Sequence, residues 1–331
     1  MRLLALVVST LALLAPAMSA SAQAPKEKVM FVLDWVVFGR HTPYFTALEK
    51  GYFSANGIDA TIQRGYGSAT SLRRLGAGQA DFIFADFGGL VLARANEGLK
   101  AKMVAVGYGK NGHAVFFLDG AGIKTPRDLA GKRIAGAPGA TVTSLFPGFL
   151  RANGVDPAAV KVVNIDAQAL NPVLLSKQAD GMLEFNFNQV ALEKQGAKDG
   201  LKPRHFMYAD HNFGFYANGI ITSDETIAKK PELVGRFVDA ILKGYRYSFE
   251  NTAESCTLLR KHAPDVDQDV CVGEMALVKD LVLTPEAQQQ GLGYMSRERV
   301  QKTIDVLREF LGFKGDARPD ELYTMQFLPK K

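Results

Sequence analysis

The sequence predicts an α/β protein of two lobes joined by two crossings, with a helical C-terminal block packed on the first lobe. Short apolar runs, such as residues 29–33 and 80–85, alternate with patterns typical of amphipathic helices. A second block of the same kind, residues 112–215, interrupts the first. From Ser223 onward the pattern is mostly helical. Two lobes joined in this way suit hinge closure around a small ligand.

The chain divides into three predicted parts. Residues 1–22 have the features of a cleaved signal peptide, with Arg2 before an apolar core and Ala20 and Ala22 at the cleavage site. A membrane anchor is the alternative, although the apolar core is short for a bilayer. Residues 23–111 and 216–331 are expected to form lobe 1, and residues 112–215 to form lobe 2. Export predicts a periplasmic location.

The net charge is modest, +5 from 39 basic and 34 acidic side chains among 331 residues. The basic residues are scattered and form no long block, so the sequence favours a solvated surface over nucleic-acid binding. We expect a monomer that binds a small molecule.

The first strand of lobe 1, residues 29–33, ends at Asp34 and Trp35. A polar loop that holds His41 then leads into a helix near Tyr44. Ligands in open α/β sheets bind at the carboxyl ends of strands, so this stretch is the first candidate for a binding site.

Two further strands of lobe 1 also end in polar residues. The strand 58–63 precedes a glycine-rich turn and a helix start at residues 68–70, where backbone N–H groups could face a ligand. An ordinary helix cap is the alternative. The strand 80–85 ends at Asp86, which suits a helix cap or a ligand acceptor. Residues 101–108 form another predicted strand.

Lobe 2 repeats this arrangement. A second Gly/Thr helix start holds Thr141 and Thr143, and Pro147 should kink the helix that follows. The strand 160–165 ends at Asp166. A helix is predicted over residues 170–178.

The remaining strands of lobe 2 lead back to lobe 1. A short strand ends at Glu184, which Phe185 and Asn186 follow. The strand 205–208 precedes the return crossing at residues 213–220, which holds Tyr216.

The two cysteines, Cys256 and Cys271, lie on two predicted helices, 252–262 and 267–283, with a break at Pro264. A helical hairpin would bring them side by side, and an exported chain meets an oxidising compartment. We predict a disulfide that closes a loop of about 15 residues and contributes roughly 3 kcal/mol. Two buried thiols, or a catalytic thiol without a His–acid pair, are the alternatives.

The candidate ligand-binding residues are Asp34, Trp35, His41, Tyr44, Ser68, Ala69, Thr70, Asp86, Thr141, Thr143, Asp166, Glu184, Phe185, Asn186 and Tyr216. Aromatic side chains would stack on a flat ring, and carboxylates would accept hydrogen bonds from its N–H groups. An anion site should carry basic residues, and Arg40 and Arg64 come close. The structural alternatives are a core role for Trp35, a plain loop role for His41 and a salt bridge for Glu184.

Motifs of common catalytic sites are missing from the sequence. It has no Gly-x-Ser-x-Gly elbow, no His-Glu-x-x-His helix, no Cys-x-x-Cys pair and no phosphate loop, and it has five histidines. We therefore predict no catalytic residue, no metal site and no cofactor, although carboxylate chemistry stays open.

Several short segments carry a resemblance to a known family. In lobe 1 they are Leu33-Asp34-Trp35, His41-Thr42-Pro43-Tyr44, Glu49-Lys50-Gly51-Tyr52-Phe53, Gly57-Ile58-Asp59, Gly78-Gln79-Ala80-Asp81-Phe82 and Ala85-Asp86. In lobe 2 they are residues 123–132 and 153–157. Together they resemble the thiamine-pyrimidine-type branch of periplasmic solute-binding proteins, which is related to the nitrate, sulfonate and taurine binders. The resemblance covers essentially the whole mature chain.

The resemblance implies a type II periplasmic-binding-protein fold with a two-strand hinge. It also implies delivery of the ligand to an ABC permease and ATPase. In that branch Trp, Tyr and acidic side chains hold a pyrimidine ring, which Trp35, Tyr44, Asp34 and Glu184 could match here. Loop 36–40 departs from the branch because it is apolar and carries an arginine.

Three alternatives stay open. A sulfonate, nitrate or aromatic-carboxylate binder should direct Arg40 or Arg64 into the cleft. A eukaryotic relative in the superfamily makes the pyrimidine from its own histidine and a pyridoxal cofactor; the predicted signal peptide and the lack of its cysteine-rich signature argue against that activity here. A scaffold protein should have no closing cleft.

Overall fold

The computed structural model describes residues 25–313 and 315–329, so the predicted signal peptide lies outside the described residues. The strands are β1 (Glu27–Val32), β2 (Ile58–Gln63), β3 (Phe82–Asp86), β4 (Ala101–Val106), β5 (His113–Leu118), β6 (Arg133–Gly136), β7 (Lys161–Asn164), β8 (Gly181–Phe185), β9 (Pro203–Met207) and β10 (Asn218–Ser223).

The helices alternate with these strands and then continue to the C-terminus. They are α1 (Thr42–Glu49), α2 (Tyr52–Ala55), α3 (Ser68–Gly76), α4 (Phe87–Glu97), α5 (Thr141–Ala152), α6 (Leu170–Leu175), α7 (Asn188–Gly196), α8 (Asp224–Lys229), α9 (Pro231–Glu250), α10 (Thr252–Arg260), α11 (Gln268–Val282), α12 (Pro285–Gln290), α13 (Arg297–Leu311) and α14 (Pro319–Leu322). Within the described ranges no helix is long and apolar enough to cross a membrane.

Two five-stranded sheets confirm the predicted pair of α/β lobes. The strand order is β2-β1-β3-β10-β4 in lobe 1 and β7-β6-β8-β5-β9 in lobe 2. One strand in each lobe, β10 in lobe 1 and β5 in lobe 2, runs antiparallel to both of its neighbours. Each of these two strands follows a crossing between the sheets. The predicted boundaries, between residues 111 and 112 and between 215 and 216, stay a prediction.

The central strands explain the continuous apolar runs in the sequence. Every residue of β3, β5 and β8 is buried, as expected for strands covered by helices on both faces. The carboxyl ends of β1, β3 and β8 lead into the segments that the sequence singles out.

Helix starts follow the sequence signals closely. Proline occupies the first turn of α9, α12 and α14, where its missing N–H costs nothing. Helix α6 is shorter than the predicted 170–178, because Lys177 has a φ of +59° and the chain leaves the helix there.

The C-terminal block packs on lobe 1, where α9 and α10 cover α1. It also reaches lobe 2. Helix α13 contacts α5, and Arg151 donates a hydrogen bond of 2.7 Å to the carbonyl oxygen of Phe310. Helix α11 contacts α7, with Lys194 2.7 Å from Asp267. The block therefore spans both lobes.

The predicted disulfide between Cys256 and Cys271 is confirmed. It joins α10 to α11, with 6.0 Å between the Cα atoms. The hydroxyl oxygen of Thr42 lies 3.3 Å from the Cys271 sulfur. The disulfide thus supports the start of α1 and the loop before it.

The two crossings between the sheets run side by side. Tyr108 donates its backbone N–H to Asn218 at 2.8 Å, and Ala217 donates to Tyr108 at 3.0 Å. The Tyr216 hydroxyl donates to Glu286 at 2.6 Å, and the Arg299 guanidinium lies 4.1 Å from the centre of the Tyr216 ring. The C-terminal helices therefore hold this hinge.

Candidate functional site

Asp34 is the centre of a buried polar cluster just beyond the end of β1. Its carboxylate lies 2.8 Å from Nη1 of Arg40, 2.9 Å from Nε2 of His41 and 2.8 Å from Nδ2 of Asn218. Burial opposes ionisation of this carboxyl, but the charge of Arg40 and the hydrogen bond from His41 help to lower its pKa to about 2. Asp34 is therefore a fixed anion.

His41 fixes the position of the Asp34 carboxylate within lobe 1. The Phe38 backbone N–H donates to Nδ1 of His41 at 3.1 Å, so the ring proton lies on Nε2 and is donated to Asp34. Burial and the nearby Arg40 charge lower the pKa of His41 to about 4. The imidazole is neutral at pH 7, and its two nitrogens are occupied within lobe 1.

Arg40 links the two lobes. Its guanidinium carbon lies 5.2 Å from the ring centre of Phe185 and 5.1 Å from that of Phe187, both from lobe 2. Cation–π contacts of this kind are stronger when buried, and Arg40 is 1 % exposed. Because Asp34 neutralises its charge, Arg40 is not an unpaired cation.

Two further acids surround Arg40. Glu184, at the end of β8, accepts the Phe185 backbone N–H at 2.9 Å, and burial raises its pKa. Glu274 comes from α11, and burial raises its pKa to about 8 despite the Arg40 charge. The cluster as a whole carries no excess positive charge at pH 7.

The two predicted helix starts face each other across the lobes. A Cβ added to Gly67, before α3, would lie 2.2 Å from the carbonyl oxygen of Gly139, before α5. Glycine at position 67 therefore permits a backbone contact that any larger residue would block. Ser68 accepts the backbone N–H of Asp86 at 3.1 Å and ties this helix start to β3.

An inner cavity of about 20 Å³ lies between the lobes. Its walls are Asp34, Trp35, Arg40, Gly67 and Ser68 from lobe 1, and Ala140, Thr141, Val142, Glu184 and Phe185 from lobe 2. The indole Nε1 of Trp35 is buried without a hydrogen-bond partner among the described residues. A cavity of this volume holds about one water molecule, so a larger ligand requires the lobes to separate.

An outer cavity of about 460 Å³ adjoins the inner one at Trp35. It is lined by Trp35, Val36, Arg64, Tyr66, Ala137, Pro138, Asp166, Ala167 and Gln168. A groove of about 800 Å³ runs along α3, α4 and α8 and reaches Thr141 and Ser144 of α5 in lobe 2. The groove is larger, but Asp34, Arg40 and Glu184 are not among its walls, so we place the site at the inner and outer cavities.

The structure brings six predicted residues together at the inner cavity, namely Asp34, Trp35, Ser68, Thr141, Glu184 and Phe185. Asp166 lines the outer cavity, and Ala69 lines the groove. Asn186 is buried beside Gly112. Asp86 caps α4 through the Gly89 N–H at 3.0 Å and lies 3.3 Å from His113 of lobe 2.

Four other predicted residues have local structural contacts outside the inner cavity, and their role in ligand binding stays a prediction. The Tyr44 ring is fully buried, and its hydroxyl lies 2.6 Å from that of Tyr245. Tyr216 belongs to the hinge. Thr70 donates to the carbonyl oxygen of Tyr66 at 3.4 Å, and Thr143 packs beneath Gly136 of β6.

Sequence reasoning missed Asn218 and Glu274 and left Arg40 as an open question. Asn218 opens β10 and pairs in register with Asp86, so strand order would have to be known to find it. Glu274 lies three residues after Cys271 on α11. The predicted disulfide was the available signal that this helix packs beneath the loop holding Arg40.

Comparisons with known proteins agree with this architecture. The sequence profile described as NMT1/THI5 like matches residues 39–255. A riboflavin-binding protein RibY of Chloroflexus aurantiacus is 26% identical over 93% of this chain and 88% of its own length. A formylaminopyrimidine-binding protein of Halalkalibacterium halodurans is 23% identical over 87% of each chain.

A pyrimidine-related enzyme and a solved structure are also similar. A 4-amino-5-hydroxymethyl-2-methylpyrimidine phosphate synthase of Legionella pneumophila is 24% identical over 73% of this chain and 75% of its own length. The alkanesulfonate-binding protein SsuA of Xanthomonas axonopodis pv. citri superposes with a TM-score of 0.70 at 14% identity, over 91% of this chain and 99% of that one. The latter likeness shows the fold of periplasmic binding proteins.

Proposed function

Because the chain belongs to the NMT1/THI5-like family, we propose that it is the extracytoplasmic solute-binding component of an ABC importer. Its two lobes close over a small nitrogen-rich aromatic ligand, such as a thiamine pyrimidine precursor. The observation that carries this proposal is the buried interlobe cluster of Asp34, Arg40 and Glu184 beside Trp35. The partners are an ABC permease and an ATPase, and the binding protein acts as a monomer.

The chemistry of the inner cavity supports a ring with N–H groups. Asp34 and Glu184 supply acceptors from opposite lobes, and Trp35 supplies both an aromatic surface and an unused N–H donor. A ligand that contacts both acids would favour the arrangement in which the lobes are together, which is the basis of hinge closure. The riboflavin-binding and formylaminopyrimidine-binding relatives both take nitrogen-rich rings by name.

An anion such as a sulfonate is the second candidate, because Arg40 lines the inner cavity and Arg64 lines the outer one. Against it, Nη1 of Arg40 is held by Asp34, whose carboxylate also lines the inner cavity. An anion placed there would lie close to the negative charge of Asp34, which opposes binding. The electrostatics therefore favour a neutral or cationic ring.

An enzyme is the third candidate, since one relative is a pyrimidine phosphate synthase by name. His41, whose Nε2 lies 2.9 Å from the cavity-wall residue Asp34, has both nitrogens engaged, with Asp34 and Phe38. This arrangement suits a positioning role better than a reactive one. A synthase would consume its substrate, whereas a binder would return its ligand unchanged.

The test is a binding screen of residues 23–331 against aminopyrimidines, flavins, alkanesulfonates and nitrate. Trp35 is the sole tryptophan in the sequence, so its fluorescence reports directly on the site. A ligand at a hundred times its dissociation constant should add about 2.7 kcal/mol of stability.

We expect aminopyrimidines or flavins to bind, with at least tenfold loss in Glu184→Gln. The matched control is Glu193→Gln, a surface acid of α7. If only anions bind, the proposal of an aromatic ligand is wrong. Conversion of the bound pyrimidine to another product would overturn the transport role.

A further inference from the structure

The outer cavity differs in chemistry from the inner one. Lobe 1 contributes Arg64 and Tyr66 to it, and lobe 2 contributes Asp166 and Gln168. It therefore opens between the lobes, next to the proposed ring site. Because Trp35 borders both cavities, a ligand held beside Trp35 could extend from one into the other.

The polar groups of the outer cavity are not committed to one another. Asp166 precedes a short 3-10 turn without capping it by its side chain, and it has no ion pair among the described residues. The Arg64 guanidinium lies over the Tyr66 ring at 4.5 Å, and its Nε donates weakly to the carbonyl oxygen of Gly65 at 3.4 Å. Within the inner cluster, in contrast, Asp34 and Arg40 bind each other.

The lining combines donors and acceptors in balance. Arg64 is a cation, Asp166 is an anion and Gln168 offers both an amide N–H and an oxygen. One positive and one negative side chain do not favour a phosphate or a carboxylate. A row of hydroxyl groups, each of which donates and accepts, suits this lining better.

Volume supports the same conclusion. The outer cavity of about 460 Å³ has room for a flexible chain of several carbons. A bare pyrimidine at the inner site would leave this space to solvent. The walls at Val36, Ala137 and Pro138 are apolar and would cover the carbon backbone of such a chain.

We propose that the outer cavity is a subsite for a neutral, hydroxylated chain attached to the aromatic ring of the ligand. This inference rests on the proposed function, since it needs a ring at the inner site. It narrows the ligand class from nitrogen-rich rings in general to rings that carry a polyol substituent. The riboflavin-binding relative is consistent with this class.

The experiment compares riboflavin, lumiflavin and flavin mononucleotide, which share the isoalloxazine ring and differ in the substituent at N10. Lumiflavin carries a methyl group in place of the hydroxylated chain, and flavin mononucleotide carries a terminal phosphate. An aminopyrimidine is the fourth probe. Dissociation constants come from calorimetry on residues 23–331, for the wild type and for the double variant Asp166→Ala/Gln168→Ala.

We expect riboflavin to bind the wild type about tenfold more tightly than lumiflavin, as the loss of one or two hydrogen bonds predicts. The double variant should abolish this difference and leave the affinity for lumiflavin unchanged. The matched control is Gln301→Ala/Asp305→Ala, which removes an amide and a carboxylate that are 2.9 Å apart on the exposed face of α13. The control should retain the tenfold preference.

Equal affinity of the wild type for riboflavin and lumiflavin would overturn the subsite. Tighter binding of flavin mononucleotide than of riboflavin would indicate a subsite for an anionic chain, and it would also overturn the proposal of a neutral chain. If only the aminopyrimidine binds, the subsite is wrong and the proposed function stands. If none of the four probes binds, the aromatic ligand of the proposed function fails too.

Discussion

Replacing His41 by glutamine should remove a large part of the acid sensitivity of this protein. His41 is fully buried and accepts the Phe38 N–H at Nδ1 while donating from Nε2 to Asp34. The bond from Phe38 requires the neutral imidazole, because Nδ1 must be unprotonated to accept it, whereas Nε2 can donate to Asp34 in either form. Protonation would place a proton on Nδ1, where it would face the Phe38 N–H donor. It would also place a second positive charge beside that of Arg40.

The magnitude follows from the difference between the ordinary histidine pKa of 6.5 and the folded value of about 4. Below pH 6.5 the unfolded chain takes up a proton at this position and the folded protein does not. The stability from this residue is therefore complete above pH 6.5 and falls as the pH drops towards 4. The full loss is about 3.4 kcal/mol, and about 2 kcal/mol of it falls between pH 7 and pH 5.

The assay is urea unfolding at pH 7 and pH 5, followed by Trp35 fluorescence and far-ultraviolet circular dichroism. The wild type should lose about 2 kcal/mol more than His41→Gln between these two pH values. Asp34 has a pKa of about 2 and titrates below this range in both proteins. Equal losses in the two proteins would refute the assignment of a neutral, buried His41.

Three other predictions test separate features. The variant Cys256→Ser/Cys271→Ser should be about 3 kcal/mol less stable in urea, because the disulfide closes a loop with a sequence separation of 15; an unchanged midpoint would contradict this. Gly67→Ala should hold the lobes apart and weaken ligand binding at least tenfold, with a larger radius of gyration by X-ray scattering in the presence of ligand. Gly78→Ala, at a φ of +68° with open space around it, controls for backbone strain and should still close. As the pH rises from 5 to 8, the wild type should lose about 3 kcal/mol of unfolding free energy relative to Glu274→Gln, because the folded pKa of about 8 lies above the ordinary 4.5 and only the unfolded chain ionises in this range. Parallel pH profiles of the unfolding free energy would exclude a buried carboxyl of this kind.

Much of the fold could be predicted because its signals are local. Proline at the first turn of α9 and the break at Pro264 each act within a few residues. The disulfide could be predicted because both cysteines lie on one helical hairpin. The inserted second lobe follows from the order of strand and helix patterns, which needs no knowledge of tertiary contacts.

Residues of the candidate site could be predicted where a strand end or a glycine-rich helix start marks them. Asp34 and Glu184 follow the ends of buried apolar runs, and both line the inner cavity. Tyr44 has the same chemistry as a ligand-stacking residue, but its position on α1 turns it into the core. Asn218 could not be found, since its contact with Asp34 spans 184 residues and depends on the placement of β10.

The position of β10 has a consequence for the order in which the chain can fold. This strand lies between β3 and β4 in the middle of the lobe 1 sheet, yet it follows all five strands of lobe 2 in the sequence. A growing chain can complete the lobe 2 sheet from one continuous stretch, whereas β3 and β4 have no common neighbour until residue 223 has been made. Lobe 2 is therefore the natural first folding unit, and any shortened chain that stops before β10 leaves the first lobe as two unjoined halves.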